Sequence, residues 1–253
     1  MKLILPKNIY TKIFAEVIKK YEQVEIIFKE ASLIAKELHE DTLAIGLIPS
    51  LELSQYKTFF VSSKAGISFD GLLSNSYFYL SENDDRQLGQ ISICGDVSIN
   101  EVILSKILFK ERFSYDVEIS LNTKPIVDKE KNTLVVGDEN ISSWEYGMGI
   151  SFSDQIAEML DLPYVNFVFA SQDKETIENF NLLMLEIDAL IENSLPEIFT
   201  SLDYPEAVNE HIKNNFGTVY YELTPNETEA LEDLFKLLYY HGIISDMFDI
   251  KFI

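Results

Sequence analysis

The side chains through which this sequence could do chemistry are hydroxyls, amides and carboxylates at the ends of apolar runs. Ser50 and Glu52 follow the run Thr42–Ile48 (TLAIGLI), and Ser74, Asn75 and Ser76 interrupt the run Gly71–Leu80 (GLLSNSYFYL). Ser98, Asn100 and Glu101 follow Gln90–Cys94 (QISIC), and Asp138 follows Thr133–Gly137 (TLVVG). Ligands gather at strand ends of a parallel sheet, so Ser50 and Glu52 are candidates; a polar turn accounts for them equally well. Buried hydroxyls and amides need partners, which for Ser74, Asn75 and Ser76 are a ligand or backbone groups. Asp138 is suited to orient a substrate hydroxyl or to cap the next turn.

The stretch Gly89–Phe109 (GQISICGDVSINEVILSKILF) organises the rest. Its first part alternates polar and apolar residues as a strand does, Gly95 and Asp96 break it, and Ser98 fits a helix N-cap. Ile99, Val102, Ile103 and Ile107 then mark one buried helical face. A helix N-terminus at a strand end is where α/β proteins hold small anions, although an ordinary βα unit has the same pattern. Ser98 and Glu101 also form a capping-box pair, which makes Glu101 structural and gives the helix end its own carboxylate. A bound dianion there would meet repulsion of roughly a kcal/mol or more.

Other chemistries are excluded. There is no Walker motif, no GxGxxG and no nucleophile elbow. His39, His211 and His241 lack metal-ligand spacing and read as surface residues, with His241 favoured by a helix C-terminus. Cys94, the single cysteine, sits in an apolar strand and reads as packed. Trp144 and Tyr146 fall in a turn, suited to core packing or to lining a cleft. The 253 residues carry a net charge of −22, with no basic run to hold nucleic acid. Glu82, Asp84 and Asp85 read as solvated surface. Any anion site must be local and shielded. With no signal-peptide core and no apolar run long enough to span a bilayer, the chain reads as soluble and cytoplasmic, without a membrane partner.

The elements that would position these residues open as βαβαβ. Lys2–Leu5 is a strand, Asn8 caps a helix striped by Tyr10 to Tyr21, Val24–Phe28 is a strand, Ser32 begins a short helix to Leu38, and Thr42–Ile48 is a strand buried on both faces. Further strands are expected at Phe59–Ser63, Gly71–Leu80, Gln90–Cys94, Tyr115–Leu121, Thr133–Gly137 and Tyr164–Ala170. Ser81–Arg86 is a polar break and Asp128–Asn132 a charged turn. Ser153 would cap a helix to Leu160, one helix would cover Lys174–Asn193, and another Pro205–Asn215. A strand is expected at Val219–Leu223. Thr224, Pro225 and Glu227 start a final helix ended by Gly242. Two βα series joined by long strands suggest two lobes with a ligand between them; a single doubly wound sheet would give a similar string.

The order of these segments resembles the futalosine-pathway proteins of menaquinone biosynthesis, in particular the chorismate dehydratase family. The resemblance lies in Ala44–Glu52 (AIGLIPSLE), Ile67–Tyr79 (ISFDGLLSNSYFY), Asp96–Phe109, Leu134–Asp138 (LVVGD), Phe152–Ala170 and Tyr220–Gly242. Two positions depart from that family. Leu5–Thr11 (LPKNIYT) stands where the family has a segment near Val-Asn-Tyr-Leu-Asn-x-x-Pro-Leu, and Ser98–Glu101 (SINE) stands where it has a Ser and Thr-Ser cluster.

The resemblance implies an α/β, two-lobed periplasmic-binding-protein-like (type II) fold with an inter-lobe cleft. Residues 1–76 plus 169–253 would form lobe 1, and 77–168 lobe 2. It also implies a carbon–oxygen lyase that removes water from chorismate to give 3-[(1-carboxyvinyl)oxy]benzoate, with no metal or organic cofactor. In that reading Asn8 is the catalytic polar group beside the leaving hydroxyl, Ser98 and Asn100 hold a carboxylate, and Ser50, Ser74, Asn75 and Asp138 complete the substrate site. The alternatives are a non-catalytic small-carboxylate-binding protein of the same fold, favoured by the altered first segment, and an enzyme acting on a later intermediate of the pathway.

Overall fold

A computed structural model describes residues 1–21, 23–81, 89–122, 131–142, 149–201 and 204–253. The expected βαβαβ opening is present as β1 (Lys2–Pro6), α1 (Ile9–Ile18), β2 (Glu25–Lys29), α2 (Ala31–Glu40) and β3 (Ile45–Pro49). β1 pairs in parallel with both β2 and β3. A 3-10 turn at Ser50–Ser54 leads into β4 (Phe60–Phe69), which runs on well past Ser63.

The chain then enters a second sheet through β5 (Ser76–Tyr79), β6 (Gln90–Gly95), α3 (Ile99–Phe113), β7 (Glu118–Leu121), β8 (Thr133–Val136), α4 (Glu139–Ser142), β9 (Ile150–Ser151) and α5 (Phe152–Leu160). β10 (Tyr164–Ser171) returns to the first sheet. It is followed by α6 (Lys174–Leu183), α7 (Ile187–Ser201), α8 (Glu206–Asn215), β11 (Val219–Glu222), α9 (Pro225–Tyr240) and β12 (Lys251–Phe252). Among the described residues the first sheet has the order β11-β4-β10-β3-β1-β2, with β12 also on β4, and the second β7-β6-β8-β5-β9. β10 pairs with β4 from Tyr164 and with β3 from Phe167.

Period-two alternation divides the first sheet's side chains between two cores. Leu3 and Leu5 of β1, with Phe167 and Phe169 of β10, face Phe14, Ile177 and Phe180. Ile4, Val168 and Ala170 face the opposite way, into a cluster that continues through Phe152 and Tyr164 to Ile91, Ile93 and Leu134 of the second lobe. That shared cluster joins the lobes.

Four local expectations are corrected. Gly71–Leu80 is not one strand: only Ser76–Tyr79 is extended. Upstream, hydroxyls replace the ladder, with the Ser74 N–H donating to the Tyr77 hydroxyl at 3.0 Å and the Tyr10 hydroxyl donating to the Ser74 carbonyl at 3.1 Å. Ser151, not Ser153, caps α5, accepting from the Asp154 N–H at 3.1 Å. The helix expected over Lys174–Asn193 is two, broken where Glu186 takes a φ of +60°. α2 starts at Ala31 rather than Ser32, because its cap comes from elsewhere in the chain, as described below. Residues 82–86 of the polar break, 128–130 of the charged turn, Trp144 and Tyr146 lie outside the described residues.

Candidate functional site

The carboxyl ends of strands from both sheets converge on one cleft of about 770 Å³. Lobe 1 contributes Lys7 after β1, Lys12 on α1, Phe28 of β2, and Glu30 and Ser32 around the start of α2. Lobe 2 contributes Ile93 and Gly95 of β6, Asp96 and Val97 beyond them, Leu121 of β7, Asn122, and Asp138 and Glu139 after β8. Gly95 takes φ +95°, and a Cβ there would come within 2.0 Å of the Val136 carbonyl oxygen. Only glycine allows β6 to turn this close to β8.

Among the described residues, two polar contacts cross the cleft. The backbone N–H of Ala31, the first residue of α2, donates to both Asp96 carboxylate oxygens at 2.9 and 3.2 Å. Glu30, the residue in the local cap position, makes no side-chain cap bond. Asp96 therefore caps a helix of the other lobe. Burial pushes its carboxyl up to about 7 against the lowering effect of the Ala31 N–H, with the nearby Glu101, Glu139 and Glu30 adding to the rise.

In the second contact the Lys12 ammonium donates to Asp138 Oδ2 and to the Tyr204 hydroxyl. Tyr204 itself donates to Asp138 Oδ2 at 2.9 Å. Burial works against the charged lysine, but the hydrogen bonds it donates to Asp138 and Tyr204 prevail and raise it above its ordinary value. Burial pushes the Tyr204 phenol up to about 12, so it is a donor at neutral pH. Asp138 Oδ1 is buried without a donor.

The other candidate residues are placed as follows. Asn8 caps α1: its Oδ1 accepts from the Thr11 N–H at 3.0 Å, and its own N–H donates to Thr11 Oγ1 at 3.3 Å. It neighbours Lys7 in sequence but does not line the cleft. Ser98 forms the expected capping box: its N–H and Oγ donate to Glu101 Oε2 at 2.9 and 2.7 Å, and its Oγ accepts from the Asn100 N–H at 3.2 Å. Burial pushes the Glu101 carboxyl up, and its Oε1 has no partner.

Asn100 is fully buried and ties the lobes together. Its Oδ1 accepts from the Leu51 N–H at 3.0 Å; its Nδ2 donates to Ser50 Oγ at 3.3 Å, the Tyr164 hydroxyl at 3.1 Å and the Asn166 carbonyl at 2.8 Å. Ser74 Oγ shares a 2.7 Å bond with Ser153 Oγ and accepts from the Ser76 and Ser153 N–H groups. Asn75 accepts from the Gly137 N–H through its carbonyl at 2.7 Å, while its side-chain Oδ1 is buried without a partner. Glu52 is buried, which raises its carboxyl.

The structure thus brings Ser50 and Asn100 together in one knot and sets Asn75 beside the Gly137–Asp138 turn. Of the seven residues Asn8, Ser50, Ser74, Asn75, Ser98, Asn100 and Asp138, it places Asp138 in the cleft lining. Lys12, Tyr204 and Asp96, which make the contacts across the cleft, are among the polar groups that sequence reasoning missed, as are Lys7, Glu30, Asn122 and Glu139 of its lining. Asp96 was read only as a strand breaker. Lys12 carried a signal: a cation close to a helix N-terminus opposes the macrodipole, which calls for a compensating partner.

No protein-family model matches the sequence, and no curated protein matches it. Solved structures do. A protein from Archaeoglobus fulgidus, AF1704, superposes with a TM-score of 0.67 at 15% identity, over 96% of this chain and 98% of its own. A Candida albicans gene product described as having the generic periplasmic binding protein fold gives 0.64 at 12% identity, over 98% and 91%. The periplasmic aliphatic sulphonate binding protein SsuA of Escherichia coli gives 0.61 at 11% identity, over 99% and 90%. The chain has the two-lobed periplasmic-binding-protein-like fold of type II. Among the described residues no helix is long and apolar enough to cross a membrane.

Proposed function

We propose that this protein binds a small organic molecule in the inter-lobe cleft and closes its lobes over it. The observation that carries the reading is that side chains from both lobes line one cleft at converging strand ends, with Asp96–Ala31 and Lys12–Asp138 bridging it. A ligand in that position contacts both lobes at once and so favours the closed arrangement. SsuA, with the same fold, is named for the sulphonates it binds, which supports a small-molecule ligand here. Binding without catalysis accords best with the local chemistry, because the acceptor oxygen of Asn8 is committed to capping α1. The proposed location is the cytoplasm, as read from the sequence.

A chorismate dehydratase-like lyase is the second reading. It is favoured by Asp138, which closes the Leu134–Asp138 element of the resemblance and reaches the cleft. Chorismate incubated with the purified protein, followed by mass spectrometry, separates the two. Enzyme-dependent loss of one water establishes the lyase. No product, together with saturable thermal stabilisation by some small molecule that Phe28→Ala abolishes, establishes the binding protein. Absence of both removes the cleft from consideration.

A further inference from the structure

The cleft's lining specifies a class of ligand, an inference that rests on the cleft-binding reading above. Among the described residues its charged groups are Lys7, Lys12, Glu30, Asp96, Asp138 and Glu139. Even with Asp96, whose carboxyl burial pushes up to about 7, set aside, Glu30, Asp138 and Glu139 face two ammonium groups, and Lys12 is already held by Asp138 and Tyr204. Asp138 Oδ1 is buried without a donor, so this carboxylate keeps acceptor capacity beyond what Lys12 and Tyr204 take up. The position that would suit a ligand anion best, the N-terminus of α2, is occupied by Asp96. An incoming carboxylate would have to displace that carboxylate and then sit beside it.

The same cleft has apolar walls. Phe28 is the penultimate residue of β2 and is 37% exposed, and Leu121 ends β7 and is 69% exposed. Both lie in the lining of the cleft, where a ligand's apolar part would remove them from water. One belongs to each lobe, and Ile93 and Val97 extend the apolar surface beside them.

We infer that the cleft takes an organic cation with an apolar body, its ammonium group held among the carboxylates and its hydrocarbon between Phe28 and Leu121. The aromatic face of Phe28 suits such a ligand, since a desolvated cation is attracted to the ring as well as to the acids. The overall charge of −22 concentrates cations near the protein and repels anions. This class excludes chorismate, a dianion.

The test is calorimetric titration of the whole protein at low ionic strength with three probes of one shape: phenethylamine, 3-phenylpropionate and 2-phenylethanol. The amine is expected to bind saturably, with the alcohol weaker and the carboxylate weaker still. Glu30→Gln, an exposed position without a side-chain cap bond, is expected to weaken the amine about tenfold and leave the alcohol unchanged. Phe28→Ala is expected to weaken both. If the carboxylate binds as tightly as the amine and Phe28→Ala weakens it, the ligand class is wrong and the cleft reading stands. Equal binding of amine and alcohol likewise overturns the class alone. If none of the three binds, the ligand class falls, and the cleft reading is decided by the stabilisation test above.

Discussion

The knot around Asn100 and the turn at Asp138 are built from the same kinds of residue and both join the lobes. They differ in what is left over. Asn100 spends its acceptor on Leu51 N–H and its amide hydrogens on Ser50, Tyr164 and Asn166, entirely out of water. Asp138 spends one oxygen on Lys12 and Tyr204, keeps the other without a donor, and lines the cleft. A polar side chain saturated by its own protein fixes geometry; one that keeps a buried oxygen without a donor carries a cost that a new donor would relieve. Residue type alone does not separate the two.

The comparison can be broken by mutation. Asn100→Ala strands the Leu51 N–H and removes an acceptor's donors in a dry interior, where each orphaned group costs about 1–3 kcal/mol. A loss of about 3 kcal/mol or more in urea unfolding is expected, and a loss below about 1 kcal/mol would show that Asn100 is not a structural tie.

The next effect sharpens the cleft side. Asp96 titrates near 7 in the folded protein and near its ordinary carboxyl value when unfolded. Between about pH 4 and 7 the folded state holds a proton that the unfolded state has lost, so stability falls as pH rises through that window and levels off above it. Asp188, which accepts from the Tyr221 and Glu222 N–H groups and is raised by burial to about 6, acts in the same direction. Asp96→Asn should therefore gain on wild type as pH rises from about 4 to 7, read from urea midpoints. A pH-independent offset between the two proteins would dissociate Asp96 from the effect.

Smaller still is Asn8→Ala, which removes an N-cap and should cost about 1 kcal/mol by the same measurement. If instead folding is untouched and chorismate turnover disappears, Asn8 belongs to catalysis. The smallest change is Glu101→Gln, which keeps an acceptor for the Ser98 N–H and relieves a buried carboxyl, so a shift within about 1 kcal/mol is expected, with no change in ligand affinity. A large loss of affinity would place Glu101 in the site.

What the sequence made legible was local. The capping boxes Ser98–Glu101 and Thr224–Glu227 formed as read because each partner lies within one helical turn of the other. The βαβαβ opening followed from short apolar runs with helical stripes between them. The break between α6 and α7 was hidden because Ile177, Phe180, Met184, Ile187 and Ile191 all pack into one cluster, so the stripe continues across the turn. The start of α2 was misread because its cap, Asp96, arrives from the other lobe. The cleft was illegible for the same reason: Lys12, Asp138 and Tyr204 meet only after both sheets are assembled.

The nesting of one sheet within the other also bears on how the chain folds. Strands β5 to β9 find their partners within a continuous stretch, whereas β4 and β10 flank that whole stretch and still pair along their length. Closing so long a loop is entropically slow, and it shortens once the inserted sheet has collapsed. Lobe 2 is thus expected to assemble early and lobe 1 to finish late. Substitutions at the β4–β10 contact, such as Val168→Ala, should then accelerate unfolding more than they slow refolding.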